Sequence, residues 1–179
     1  MPIPRTRVIL TSSRDAPLRV RSFLNELEYV IPFSKRINRG RQNLESIIYK
    51  ARLFQASYLI IIGIKKGNPS SFVVYDLYTS SIKYKLRIFG ITLVNEIRND
   101  KVKTERIKRG CIGSLDDDEI RHMFIDLGYY SLSKCDAYVS GKIVILGDRF
   151  KKLYEIKFLD YKNNILGPII RFIYDESSN

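Results

Sequence analysis

Val8-Ile9-Leu10-Thr11-Ser12-Ser13-Arg14-Asp15-Ala16-Pro17-Leu18-Arg19-Val20-Arg21-Ser22-Phe23-Leu24 is the stretch whose reading decides the fold. Residues 8–10 are an apolar run that breaks at a polar turn, the pattern of a short buried strand. Across residues 16–30, Val20, Phe23, Leu24, Leu27 and Val30, continued by Ile31, recur at helical spacing and form one apolar stripe. Pro17 suits a first helical turn, Ser13 or Asp15 is placed to cap it, and Pro32 stops the helix. A strand thus feeds a helix through a short polar turn.

Outward from this unit the pattern continues. Residues 34–37 read as a short extended piece and Asn38-Arg39-Gly40-Arg41 as a turn, with Gly40 serving the backbone. Asn43 reads as the cap of a second helix whose inner face is Leu44, Ile47, Ile48, Ala51 and Phe54. A strongly apolar strand over 57–64 follows, then the turn Lys66-Gly67-Asn68-Pro69 and strands over 72–78 and 82–94. The polar segment 95–113 reads as a boundary or an exposed loop. A third helix starts at Ser114, turns Leu115, Ile120, Met123, Phe124 and Leu127 inward, and stops at Gly128. Strands over 138–146, 150–159 and 165–174 complete the chain, with Asn163-Asn164 as a hairpin turn and a frayed end from Glu176. The order predicts an α/β (α+β) fold with a weak internal duplication.

Charge is distributed unevenly. The chain has 179 residues and a net charge of +12, which fits one domain or two small fused halves. Residues 1–95 carry 16 basic and 5 acidic side chains, whereas residues 96–179 carry 15 and 14. Positive potential therefore belongs to the first half, which points to an anionic partner. The turn Thr11-Ser12-Ser13-Arg14 offers hydroxyls, an Arg and a helix start to an anion; simple capping by Ser13 or Asp15 is the alternative. Lys35-Arg36-Ile37-Asn38-Arg39-Gly40-Arg41 adds four cations without an acidic neighbour, and Arg forks match phosphate oxygens. Arg19 and Arg21 flank these groups.

Other chemistries find little support. His122 is the one histidine, and no nucleophile or base pairs with it in a recognisable motif. Phosphate-loop and dinucleotide fingerprints are missing. Cys111 and Cys135 lie 24 positions apart, a spacing that disfavours zinc; two free thiols in a reducing cytosol is the default reading, with a disulfide left open. Asp116-Asp117-Asp118-Glu119 reads as acids complementing a helix start rather than metal ligands. Tyr78, Tyr129 and Tyr130 are the aromatic residues least committed to a core and so candidates for base stacking. No secretory signal is visible, and the longest apolar run, 58–64, is too short to span a bilayer. A soluble intracellular protein without cofactor, metal or membrane partner is expected.

Five motifs in order carry a family resemblance: 8–14, Arg21-Ser22-Phe23, Asn38-Arg39-Gly40, Lys66-Gly67-Asn68-Pro69, and Gly167-Pro168-Ile169-Ile170-Arg171-Phe172. The chain resembles the Brix domain family over its whole length, and is most similar to the short archaeal members. The resemblance implies a single domain, 1–179, of two related halves, 1–95 and 96–179. Each half would be similar to the anticodon-binding domain of class IIa aminoacyl-tRNA synthetases. It also implies a non-catalytic ribosome-biogenesis factor that binds ribosomal RNA or its precursor, with ribosome-assembly proteins as further partners. The location implied is cytoplasmic in an archaeal cell and nucleolar for eukaryotic relatives. The family's RNA-binding motif near the C-terminal end falls on 167–172, where Arg171 is basic and Pro168 suits an edge strand. The expected RNA contacts are thus Thr11, Ser12, Ser13, Arg14, Arg19, Arg21, Lys35, Arg36, Asn38, Arg39, Arg41, Lys66 and Arg171. A protein-interaction scaffold within a pre-ribosomal particle is the alternative.

Overall fold

The first strand, β1 (Val8–Ser12), is buried along its whole length, and α1 (Leu18–Val30) packs its predicted stripe against it. The computed structural model describes residues 5–98, 105–147 and 151–173. The remaining elements are β2 (Ser34–Arg36), α2 (Leu44–Leu53), β3 (Tyr58–Lys65), β4 (Asn68–Asp76), β5 (Ser81–Thr92), α3 (Val94–Ile97), β6 (Gly110–Ile112), α4 (Asp118–Asp126), β7 (Ala137–Leu146), β8 (Lys151–Leu159) and β9 (Ile169–Ile173).

All nine strands form one mixed sheet in the order β2-β1-β3-β4-β5-β9-β8-β7-β6. β1 lies parallel to both β2 and β3, so each connection needs a crossover helix. The first crossover runs from β1 out to β2 and the second from β2 back past β1 to β3, opposite directions that place α1 and α2 on opposite faces of the sheet. The side chains agree: Val8, Leu10, Ile60 and Ile62 pack with α1, while Ile9 and Leu59 pack with Ile47 and Ala51 of α2. From β3 to β5 the chain meanders antiparallel. Lys66 and Gly67 both hold positive φ and join β3 to β4 as a two-residue turn, the geometry that suits the twist of a hairpin.

The second half repeats part of this order. β6 runs parallel to β7 across α4, and β7, β8 and β9 meander antiparallel. β9 then pairs with β5, Ile88 facing Phe172 and Thr92 facing Ile169, so one sheet joins the halves. α4 shares the core of α1 through Met123, Phe124 and Leu127. Tyr129 donates its hydroxyl to the Val30 carbonyl at 2.6 Å, and Phe72 meets Phe172 edge-on at 5.9 Å. Among the described residues, no helix matches α2 in the second half, and none is long and apolar enough to cross a membrane.

Several expectations change. Pro17, not Ser13 or Asp15, is the N-cap of α1, and no side chain caps it; Ser12 Oγ instead donates to the Arg14 carbonyl at 2.6 Å. Asn43 does cap α2, accepting from the Ser46 N–H at 2.9 Å, but Leu44 and Phe54 stay partly exposed. The segment 95–113 contains most of α3 and all of β6, with 99–104 outside the described residues. α4 starts later than Ser114, capped by Asp117, which accepts from the Ile120 N–H; Asp118 and Glu119 fill its first turn. Cys111 and Cys135 form a disulfide with Cα atoms 5.7 Å apart, overturning the free-thiol reading; the segment before β7 folds onto β6, its Ser131 N–H reaching the Gly110 carbonyl at 3.0 Å and its Asp136 N–H the Arg109 carbonyl at 2.8 Å. β9 is a central strand, so Pro168 does not shape an edge: it precedes the strand, where no ladder N–H is lost. Tyr129 is fully buried and offers no stacking face. Phe150, Tyr174 and the end from Glu176 fall outside the described residues.

Candidate nucleic-acid interface

β1 and β2 end side by side, Leu10 facing Arg36, and the chain leaves both at the same rim. Open α/β sheets present their binding crevices outside the carboxyl ends of such parallel strands. Here a cleft of about 410 Å³ opens between that rim and α1. Ser12, Arg36, Asn38 and Arg39 line it from the strand ends, and Asp15, Arg21 and Leu24 from the α1 side.

Three guanidinium groups are fixed there almost wholly by neutral acceptors. Arg36 donates to the side-chain oxygens of Asn25 at 2.5 Å and Asn38 at 3.2 Å. Arg39 donates Nε to the Gln42 carbonyl at 2.8 Å and a terminal nitrogen to the Ser12 carbonyl at 3.4 Å. Arg21 donates Nε to the Ala16 carbonyl at 2.7 Å, and its one acid, Asp15, stands 3.9 Å away with most of its side chain in solvent. Neutral acceptors orient a guanidinium without cancelling its charge, so the cleft keeps a positive field. The nearby acids serve other groups. Glu28 accepts the Arg36 backbone N–H at 2.5 Å and pairs with Arg106 at 2.5 Å. Glu26 receives the Val94 N–H at 2.9 and 3.0 Å, and burial pushes its carboxyl up to about 7.

The predicted residues divide into groups. Ser12, Arg21, Arg36, Asn38 and Arg39 meet at the cleft. Ser13 and Arg14 are exposed on the loop after β1, and Arg41 is exposed next to Gly40, whose φ of +52° turns the chain at the rim. Lys66 is exposed in the turn at the carboxyl end of β3, the strand beside β1. Thr11 and Ser12 are buried, so neither hydroxyl is on the surface; Ser12 lines the cleft but spends its hydroxyl on the loop. Arg19 turns away to the Ile91 carbonyl at 3.0 Å and Glu96 at 3.1 Å. Lys35 alternates to the α2 face and lies 4.5 Å over the Phe54 ring. Arg171 sits in mid-sheet, paired with Glu155 at 3.1 Å. Asn25 was missed as a site residue, though it lies four residues from Arg21 and so on the same helix face.

No family model matches the chain. It is 48% identical over 180 residues to a protein of Sulfurisphaera tokodaii described as a probable Brix domain-containing ribosomal biogenesis protein, spanning 100% of this chain and 99% of that one. The chain belongs to the family of Brix domain-containing ribosomal biogenesis proteins. A Brix protein of the same description from Saccharolobus solfataricus is 35% identical over 145 residues, covering 80% of this chain and 85% of its own length. The U3 small nucleolar ribonucleoprotein protein IMP4 of Bos taurus is 30% identical over 71 residues, which are 40% of this chain and 24% of that protein. The fold is shared with a crystal structure of a probable ribosomal biogenesis protein from Aeropyrum pernix, with a TM-score of 0.73 at 21% identity over 96% of this chain and 97% of that one. Mil, an archaeal Imp4-like protein, has a TM-score of 0.67 at 19% identity over 94% and 97%.

Proposed function

We propose that this chain is a non-catalytic factor that holds ribosomal RNA or its precursor by the phosphates, assisting its folding, processing or assembly. The observation that carries this is the trio Arg21, Arg36 and Arg39, oriented around one cleft by neutral acceptors. Arg14, Arg41 and Lys66 extend the positive rim. The names of the relatives supply the setting, and one of them names a small nucleolar ribonucleoprotein. The chain acts as one domain of two halves, divided near residue 95.

A scaffold reading has one observation in its favour: Ile143 and Ile145 on β7 stay 57% and 62% exposed, apolar area suited to an assembly protein. Crosslinking in cells followed by sequencing of the bound RNA decides between them, with Arg36, Arg39 and Arg41 reversed to Glu. Loss of ribosomal RNA crosslinks with retained protein partners supports the RNA reading. Unchanged crosslinks with lost partners supports the scaffold.

A further inference from the structure

The sheet face that α2 covers in the first half continues into the second half as a basic surface. Strand alternation identifies its residues. Tyr84, Ile88, Tyr154, Ile156, Phe158, Ile170 and Phe172 pack into the core beside α1 and α4. Their neighbours Lys85, Arg87, Lys157 and Arg171 therefore point to the other face, with Glu155, and Lys142 joins them opposite Glu155. That is five cations and one carboxylate across four adjacent strands. Glu155 is committed to Arg171 at 3.1 Å and Lys157 at 3.7 Å. Lys85 and Lys142 are exposed and make no ion pair among the described residues. Beside them a groove of about 240 Å³ is lined by Lys142, Lys157, the hydroxyl residues Ser114 and Ser140, and the already paired Glu155. The apolar cluster under α2 reaches only Tyr75 and Leu77, so no described helix covers these cations.

We infer that this face is a second phosphate-backbone surface, so that the chain holds two separate stretches of RNA. The reading rests on the proposal that the protein binds RNA, and adds a site. From β5 to β7 the face spans about 15 Å, room for a few nucleotides. Its lysine ammoniums and serine hydroxyls are donors for phosphate oxygens, contacts that position a strand without reading its sequence. The Arg36 cleft lies on the α1 side of the sheet and these cations on the α2 side. A strand lying flat in one cannot reach the other, and two segments brought to opposite sides of one sheet are held at a fixed separation.

The test uses the full chain and a short single-stranded RNA oligonucleotide too small to reach both surfaces, with stoichiometry read by native mass spectrometry and affinity by calorimetry. The wild type is expected to take up two oligonucleotides. Lys85→Ala with Lys142→Ala and Lys157→Ala is expected to take up one, and Arg21→Ala with Arg36→Ala and Arg39→Ala also one. With a long RNA, the lysine variant is expected to lower the log–log salt slope by about 2. Ultraviolet crosslinks to peptides of β5, β7 and β8 support the site independently of any substitution. A lysine variant with unchanged stoichiometry and slope overturns the inference while leaving the cleft standing. The reverse result, loss only from the lysine variant, keeps this face and removes the cleft. Capture of polyglutamate rather than RNA by the lysine face overturns it in favour of an acidic protein segment.

Discussion

Arg36 shows how a single side chain is kept available. Its two acceptors are the amides of Asn25 and Asn38, 2.5 and 3.2 Å away, so its plane is fixed and its charge is not neutralised. Asn25→Asp places a carboxylate where the amide stands. That variant is expected to melt no lower than the wild type yet bind RNA about fivefold more weakly, on the order of 1 kcal/mol, measured by anisotropy beside a thermal melt. Glu26 makes a second residue-scale prediction. Its carboxyl titrates near 4.5 when unfolded and about 7 when folded, because burial disfavours the charge. The folded state thus binds the proton more tightly, so this group's contribution to stability falls as pH rises from about 4.5 to about 7, then levels off. Glu26→Gln is expected to flatten that fall in melting temperature across the same window.

At the scale of elements, strong local signals are enough to place the helices that carry them. The α1 stripe is buried at every position named from the sequence, and Asn43 stands at the start of α2 with its side chain on the Ser46 N–H. Asn43→Ala is expected to cost about 1 kcal/mol in a denaturant titration, the usual worth of a cap. What failed was set by distant partners. β6 has three residues, too few for a period to show, and exists because β7 pairs with it. The Cys111–Cys135 bond depends on the segment before β7 folding back onto β6, which a spacing of 24 cannot announce. Of the site, Arg36, Asn38 and Arg39 were legible as a charged turn. That Arg21 crosses from α1 to meet them, whereas Arg19 two residues earlier goes to Glu96, is fixed by which helix face looks at the rim.

For the whole molecule, the seam between β5 and β9 is decisive. Thr92 pairs with Ile169, and Phe72 of the first half packs on Phe172 of the last strand, so the halves share one core. One cooperative unfolding transition is expected, and Phe172→Ala is expected to lower the stability of both halves together by about 3–5 kcal/mol, followed by hydrogen exchange in β1 and in β7. Two separate transitions would contradict a shared core. The shared sheet also fixes the Arg36 cleft relative to the open lysine face. The central claim is that the cleft grips RNA phosphates, and the most direct measurement is the salt dependence of binding to a single-stranded ribosomal RNA fragment. With about six phosphates neutralised, the log–log slope is predicted near −4, falling by about 2 when Arg21, Arg36 and Arg39 are all changed to Ala. A slope near zero in the wild type, or one that the three substitutions leave unchanged, would contradict it.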